Sequence, residues 1–137
     1  MTNNTTSQQI CEDLLYLLDR LKVGVIDLAE AQDLTRVQIF ALYFIDRQGA
    51  LAMRSMADVL HCDASNVTGL VDRLVAQGFV TREESKQDRR TKILQLTDKG
   101  KRAIDSIKAA LPEKLGCGLL TDSERMQLHG IVQKLRV

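Results

Sequence analysis

Apolar residues in the first third of the chain recur at helical spacings. Between positions 10 and 28 they come every three or four residues, close to the heptad of a helix that packs along a partner, at Ile10, Leu14, Leu17, Leu21, Val25 and Leu28. Thr35 and Gln38 then form a capping-box start for a second helix, which runs to about Arg47 and is closed by Gly49.

The last third shows the same helical pattern. Thr97 can cap a helix that Pro112 kinks or ends, with a stripe at Ala103, Ile104, Ile107 and Leu111. Thr121 and Glu124 form another capping box, which opens a final helix with Leu128, Ile131, Val132 and Leu135 on one face. Periodicity alone leaves open whether these terminal stripes close a monomer core or pack against a second copy.

The middle of the chain predicts two helices joined by a tight turn. A helix from Ala64 to Gln77 buries a stripe at Val67, Leu70, Val71, Leu74 and Val75, and Asp63 is placed to cap it. A shorter stripe precedes it at Met53, Met56, Ala57 and Leu60, and His61–Asp63 forms the turn. This spacing indicates a helix-turn-helix.

The other face of the second helix is short and polar near its N-terminus, at Ser65, Asn66, Thr68, Gly69, Asp72 and Arg73. Hydroxyl and amide groups there can bond to base edges, and Gly69 allows close approach. We therefore expect Ser65, Asn66, Thr68, Gly69 and Arg73 to face a major groove or its phosphates, with the Ser55 hydroxyl on the DNA backbone.

Two strand-like runs follow, Phe79–Ser85 and Thr91–Thr97, around the polar loop Lys86–Arg90. The loop contains Asp88-Arg89-Arg90, which on its own is more typical of a solvated charged turn. Beside a helix-turn-helix it indicates a DNA-binding wing. Arg90 is expected to enter a minor groove with Asp88 orienting it, and Arg89 to contact the DNA backbone.

Charge and composition agree with this interpretation. The 137 residues fit one domain and have a net charge of +1 with 4% aromatic residues, which disfavours stacking platforms for single-stranded nucleic acid. The positive excess lies at the wing, because Arg82–Arg102 contains eight basic and four acidic residues.

Three strings resemble one known family. The stretch Asp88–Gly100 (DRRTKILQLTDKG) is similar to the wing signature of the MarR family of transcriptional regulators. Ala57–Leu74 resembles that family's second and third DNA-domain helices, and Gly78–Val80 resembles the start of its wing. Together the motifs are specific and cover about residues 35–100, whereas the two ends match by helix placement only.

The resemblance implies a fold that is mainly α with a small β-hairpin, within a single domain of residues 1–137. Residues 35–100 would form the winged helix-turn-helix lobe, and residues 7–31 and 101–137 a helical dimerisation lobe. It also implies a homodimeric repressor or activator on a pseudo-palindromic double-stranded operator, with repression the expected mode. DNA affinity would respond to a small ligand or to oxidation.

Candidate effector chemistry lies on the outer helices. Tyr16, Phe40 and Tyr43 are expected to converge where the first, second and fifth helices meet, and to suit a small aromatic ligand with one polar group. Cys11 lies near the position of a reactive cysteine in one thiol-sensing branch of the family, but Glu12 and Asp13 beside it disfavour a thiolate. Cys117, between two glycines, is expected to be the more exposed of these two redox candidates.

Other function classes find little support. Common nucleotide-binding, hydrolase and metalloprotease motifs are missing, so no enzyme activity, cofactor or metal site is expected, and His61-Cys62 has no second ligand pair. The start of the chain does not resemble a signal peptide, and the apolar run Ile39–Ile45 is too short to cross a membrane. An odd number of cysteines favours reduced thiols in the cytoplasm. Two alternatives stay open, a winged-helix module that binds a protein and a cysteine-dependent redox enzyme.

Overall fold

The computed structural model describes residues 5–136 and shows a mainly helical fold with one small antiparallel sheet, as predicted. Within this range the elements are α1 (Ser7–Glu30), α2 (Arg36–Gln48), β1 (Leu51–Ala52), α3 (Met53–Leu60), α4 (Ala64–Ala76), β2 (Val80–Glu84), β3 (Lys92–Leu96), α5 (Asp98–Leu115), a 3-10 turn (Cys117–Leu119) and α6 (Asp122–Leu135).

Threonine hydroxyls begin four of these helices. Thr35 and Thr121 form the two predicted capping boxes, accepting from the backbone N–H groups of Gln38 at 3.2 Å and Glu124 at 3.1 Å. Thr97 caps α5 as predicted, and an unpredicted third box at Thr6 starts α1. Each hydroxyl satisfies a backbone donor that the first helical turn leaves unpaired, so helix starts are encoded locally.

Two local predictions hold only in part. Pro112 does not itself end α5, which continues to Leu115 and stops at Gly116 in a left-handed conformation with φ of 82°. Pro112 lies in the last turn, so the helix extends only three residues beyond it. Asp63 does occupy the position before α4, but its side chain makes no capping hydrogen bond.

The sheet contains one strand more than the predicted hairpin. β2 and β3 pair in antiparallel register from Val80 opposite Leu96 to Glu84 opposite Lys92, and β1 adds to the other edge of β3 with Leu51 opposite Leu94. A strand of two residues has no alternation to detect, which explains why the sequence did not predict β1. It joins the start of α3 to the base of the hairpin.

The core lies between α2, α4, α5 and the sheet. Its fully buried large side chains are Leu42, Ile45, Met56, Val71, Leu74, Leu94, Ile104 and Ile107. In contrast, α1 buries only residues in its C-terminal half, and α6 buries none of its described residues. The apolar residues of α6 and of the N-terminal half of α1 therefore lie on the outside of the monomer, whereas Ala103, Ile104 and Ile107 of the α5 stripe are buried.

Among residues 5–136, none of the helices combines the length and the apolar character needed to cross a membrane.

Candidate nucleic-acid interface

The predicted helix-turn-helix is present. α3 ends at His61, which adopts a left-handed conformation with φ of 54°, and the backbone N–H of Cys62 closes the turn on the carbonyl of Ala57 at 3.1 Å. α4 begins immediately after Asp63. The stripe predicted for α4 packs inward, since Val67, Leu70, Val71 and Leu74 are buried and Val75 is half-buried.

The N-terminal half of α4 presents a polar surface. Ser65, Asn66 and Thr68 are exposed, and the side chains of Ser65 and Asn66 make no hydrogen bond to another described residue. The Thr68 hydroxyl donates to the carbonyl of Ala64 at 3.2 Å, which leaves its oxygen as an acceptor. This surface can therefore both donate and accept hydrogen bonds.

Gly69 and Arg73 lie next to each other on the same face. A Cβ on Gly69 would meet nothing closer than the Arg73 guanidinium at 3.8 Å. The chain itself therefore tolerates a side chain at this position. The requirement for glycine, if one exists, comes from an external partner that approaches the helix closely.

An ion pair fixes the wing to α4. Arg82 of β2 contacts the Asp72 carboxylate at 2.7 Å, with the two side chains 32% and 55% exposed. Because Asp72 shares the polar side of α4, its pairing with Arg82 offsets a negative charge that would repel phosphate.

The wing tip is organised by Asp88. Its carboxylate accepts from the backbone N–H of Arg90 at 3.0 Å and from the Thr91 hydroxyl at 3.4 Å, and its carbonyl accepts from the Thr91 backbone N–H at 3.0 Å. Asp88 thus positions Arg90 through the main chain. The Asp88 carboxylate forms no ion pair with the guanidinium of Arg89 or Arg90.

Arg89 and Arg90 are both exposed and form no ion pair with a described residue. Two unpaired guanidinium groups at the end of a rigid hairpin suit contacts to an external anion.

A groove of about 510 Å³ joins the two predicted DNA-binding elements. α3 and α4 contribute Met53, Arg54, Ala57, Ala64, Val67 and Thr68, and the wing contributes Asp88, Arg90, Thr91 and Lys92. The structure therefore brings Thr68, Asp88 and Arg90 to one concave surface. Ser55, Ser65, Asn66, Gly69, Arg73 and Arg89 lie on the same elements but outside the groove.

Arg54, an exposed residue of the groove, was not predicted from the sequence. Its signal was available, because the apolar stripe of α3 leaves Arg54 and the half-buried Ser55 off the buried face. Lys92, which also lines the groove, is paired with Glu84 at 3.1 Å.

A second, more enclosed cavity of about 320 Å³ lies where α1, α2 and α5 meet. Its lining is mostly apolar, with two lysines, and comprises Leu18, Leu21, Lys22, Val25, Ile39, Phe40, Tyr43, Ile104, Ile107, Lys108 and Leu111. Phe40 and Tyr43 lie there as predicted. The Tyr43 hydroxyl accepts from Arg47 at 3.2 Å.

Tyr16 does not reach this cavity and is 67% exposed. The α1 residues that line it begin at Leu18, and residues two positions apart on a helix point in nearly opposite directions. The prediction that Tyr16 converges with Phe40 and Tyr43 is therefore wrong within one chain.

One wall of the cavity belongs to an ionic cluster that joins α2 to α5. The Asp46 carboxylate, 9% exposed, contacts Lys101 at 2.8 Å and Lys108 at 2.9 Å. Hydrogen bonds from these two lysines hold the pKa of Asp46 below its usual 3.8, although burial opposes the shift. The partnership with Asp46 and Asp105 raises the pKa of Lys101.

The cysteines differ from expectation in exposure. Cys11 is exposed on α1, whereas Cys117 is half-buried in the 3-10 turn and its carbonyl accepts from Arg125 at 3.2 Å. The prediction that Cys117 is the more exposed thiol is therefore wrong, because the segment between its glycines is ordered by Arg125. Cys62 is half-buried, and its thiol donates to the Leu60 carbonyl at 3.3 Å.

Sequence comparisons agree with this architecture. The model of the MarR family matches residues 34–92. The uncharacterized HTH-type transcriptional regulator YfiV of Bacillus subtilis is 31% identical over 120 residues, which cover 85% of this chain and 75% of that protein. The HTH-type transcriptional repressor MdtR of the same organism is 29% identical, with coverage of 89% and 80%.

Solved structures show the same fold. The apo form of MarR from E. coli matches with a TM-score of 0.77 and 22% identity, covering 92% of this chain and 95% of that one. A mutant of the same protein in complex with operator DNA matches with a TM-score of 0.68 and 21% identity, covering 99% and 100%. This chain belongs to the MarR family, and it is a DNA-binding transcriptional regulator with a winged helix-turn-helix fold rather than an enzyme.

Proposed function

We propose that the chain is a homodimeric repressor that binds a pseudo-palindromic operator and is released by a small aromatic ligand. The observation that supports this most is the shared groove, in which Thr68 of α4 and Arg90 of the wing face the same space. Two such units related by a two-fold axis suit two half-sites about 10 bp apart. A DNA target implies a cytoplasmic location.

Within each half-site, α4 lies in the major groove with Ser65, Asn66, Thr68 and Gly69 near the bases. Arg73, Arg89 and the Ser55 hydroxyl contact phosphates. Arg90 enters the adjacent minor groove, positioned by the turn that Asp88 organises. The assignment follows from exposure and chemistry, since Ser65 and Asn66 are unengaged, the Thr68 oxygen remains an acceptor, and the guanidinium groups of Arg89 and Arg90 are unpaired.

The dimer is supported by the apolar outer surface of the terminal helices. α1 exposes Ile10, Leu14, Leu15, Leu17 and Leu18, and α6 exposes Met126, Leu128, Ile131, Val132 and Leu135. Each of these residues is at least 38% exposed in the monomer, so the apolar side chains of both terminal helices are available to a partner. Burying that surface against a second copy removes it from water and fixes the distance between the two α4 helices.

Repression is supported by relatives. MdtR and the E. coli protein MprA are both named transcriptional repressors. A repressor in this architecture acts by occupying its operator.

The effector is placed in the α1/α2/α5 cavity. Phe40 and Tyr43 supply aromatic walls, and the ionisable residues of the lining include two lysines, Lys22 and Lys108. Lys108 is already paired with Asp46 at 2.9 Å, so Lys22 is the lysine of the lining that is left to receive the carboxylate of an aromatic acid. Because the cavity touches α1 and α5 as well as α2, occupancy changes how the outer helices hold the winged lobe.

A fluorescence-anisotropy titration of a labelled operator tests the proposal. We expect affinity for the operator to fall steeply with salt, since phosphate contacts release counterions, and to fall again on addition of a bound aromatic acid. The acid is first identified by a thermal-shift screen of phenolic and other aromatic acids beside an oxidant. If the chain instead binds a partner protein with an affinity that changes little with salt, this would support the alternative of a protein-interaction module.

Oxidation of a thiol is the second candidate signal. It is favoured by the exposure of Cys11, and the matched relatives include an organic hydroperoxide resistance transcriptional regulator of B. subtilis. If an oxidant releases the parent protein from DNA but leaves the Cys11→Ser variant bound, thiol oxidation and not ligand binding is the signal for release.

A further inference from the structure

One residue at the end of α4 contacts three other elements. The Gln77 carbonyl accepts from Lys99 Nζ of α5 at 2.7 Å. Its side-chain oxygen accepts from Gln38 Nε2 of α2 at 3.0 Å, and its side-chain nitrogen donates to the carbonyl of Asp33, in the loop after α1, at 3.4 Å. Its own backbone N–H closes α4 on Arg73 at 2.9 Å.

The capping box of α2 sets the direction of the hydrogen bonds between the two glutamine side chains. The Gln38 side-chain oxygen accepts from the backbone N–H of Thr35 at 2.9 Å in the capping box, so its nitrogen has to face Gln77. Gln77 must then present its oxygen to Gln38 and its nitrogen to Asp33. Neither amide can flip without losing a bond at both ends.

Burial makes this arrangement costly to break. Gln38 is 4% exposed, and within residues 5–136 it is the only polar side chain that is buried. An unsatisfied amide there would lose its hydrogen bond without regaining water. Asp33 holds its carbonyl in place by a left-handed conformation with φ of 55°.

We propose that Gln38 and Gln77 form an amide relay that positions α4 relative to α2 and to the loop after α1. The relay joins the C-terminal end of the DNA-contacting helix to the start of α2 and to the carbonyl of Asp33. Its two side chains are positioning residues, since neither lies on the polar face of α4. The consequence for operator spacing rests on the proposed dimeric regulator, whereas the relay itself does not.

The test uses two single variants and their combination. Gln38→Glu keeps the capping acceptor, because glutamate also serves in a capping box, but it removes the donor to Gln77. Gln77→Lys removes the acceptor and supplies a donor. The double variant restores a donor–acceptor pair with reversed polarity. Gln9→Glu makes the same change in the exposed capping box of α1, which has no relay, and serves as the matched control.

Three quantities are measured on the full-length protein. They are the affinity for an operator duplex with both half-sites, the affinity for a duplex with one half-site, and hydrogen exchange of the amides of Gln77 to Phe79. We expect each single variant to bind the full operator roughly five- to tenfold more weakly and the single half-site within about twofold of the parent. Exchange should accelerate in both single variants. The double variant should recover both properties, and Gln9→Glu should change neither.

Single variants that bind the full operator as the parent does would overturn the proposal. So would equal losses on full and half operators without recovery in the double variant, since that pattern indicates a general loss of structure. If the parent protein binds no duplex specifically, the proposed function fails, and the exchange data alone decide the relay. If Gln38→Glu does not fold, Gln77→Met at the other end of the relay replaces it.

Discussion

The carbonyl oxygen of Phe79 occupies the space where a Cβ on Gly100 would lie. Gly100 is buried in the first turn of α5, and the Phe79 carbonyl accepts from the backbone N–H of Thr97 at 3.1 Å. The wing signature ends in glycine here because α5 must begin directly against the backbone at the end of α4. The backbone conformation of Gly100 is one that any residue can adopt, so glycine is required here because a Cβ would not fit.

Gly100→Ala should therefore destabilise the fold by roughly 1–3 kcal/mol, measured by urea denaturation. Gly130→Ala is the matched control, because Gly130 also lies within a helix but has nothing near its would-be Cβ. That change should be neutral or stabilising by up to about 1 kcal/mol. Equal stabilities for the two variants would show that the contact between Gly100 and Phe79 is not tight.

Arg90→Ala should weaken specific operator binding by roughly 1–3 kcal/mol while leaving the unfolding free energy unchanged, because the side chain is exposed and unpaired. Lys86→Ala removes the same charge from the same loop, but Lys86 lies outside the groove that Arg90 lines, and should have a smaller effect. Equal losses of operator affinity in the two variants would mean that the wing contributes its positive charge but no specific contact by Arg90. An unchanged affinity for Arg90→Ala would remove its role.

Leu17→Glu should dissociate the dimer and reduce operator affinity together, because a monomer retains only one of two half-site contacts. Sedimentation velocity and anisotropy at matched concentrations measure both quantities. Val37→Glu is the control, since Val37 is 36% exposed, close to the 38% of Leu17, but lies on α2. A Leu17→Glu protein that remains dimeric would exclude this part of α1 from the interface.

Phe40→Ala should abolish release by an aromatic acid, which in the parent should lower operator affinity by roughly 1–3 kcal/mol of coupling. Tyr16→Phe and Cys11→Ser should leave the response intact, because neither side chain lines the cavity. Operator titrations with and without the ligand measure the coupling. A response that survives Phe40→Ala would place the ligand elsewhere.

Asp46 should make the free energy of unfolding depend on pH in the acid range. Its pKa is lowered in the folded state by Lys101 and Lys108, so its contribution is present above the usual value of 3.8 and is lost as pH falls through the lower folded value. Asp46→Asn should cost roughly 1–2 kcal/mol near neutral pH and little at the acid end. Denaturation curves from pH 7 downward measure this, and a constant difference between parent and variant would contradict the assignment.

Local chemistry explains what the sequence predicted well. The threonine caps, the buried stripe of α4 and the arginine-containing turn each depend on residues within a few positions of one another, so spacing alone was sufficient. Gly69 and Thr68 were assigned to the polar face by the same periodicity. The family motifs added the order of the elements.

The features that could not be predicted from the sequence depend on contacts between distant segments. Strand β1 exists because Leu51 meets Leu94, and the orientation of Tyr16 depends on which side of α1 packs against α5. Asp88 bonds to the backbone of its own turn, a choice that composition does not distinguish from an ion pair. The relay between Gln38 and Gln77 spans 39 positions and leaves no pattern in the sequence.

Hydroxyl-radical footprinting of the protein on its operator shows whether a two-fold dimer contacts two half-sites. A dimer with two α4 helices and two wings should protect two regions on one face of the DNA, about 10 bp apart centre to centre, with further protection in the flanking minor grooves. The flanking protection should disappear with Arg90→Ala, while the two central regions remain at higher protein concentration. A single protected groove, or protection that Arg90→Ala leaves unchanged, would contradict the account.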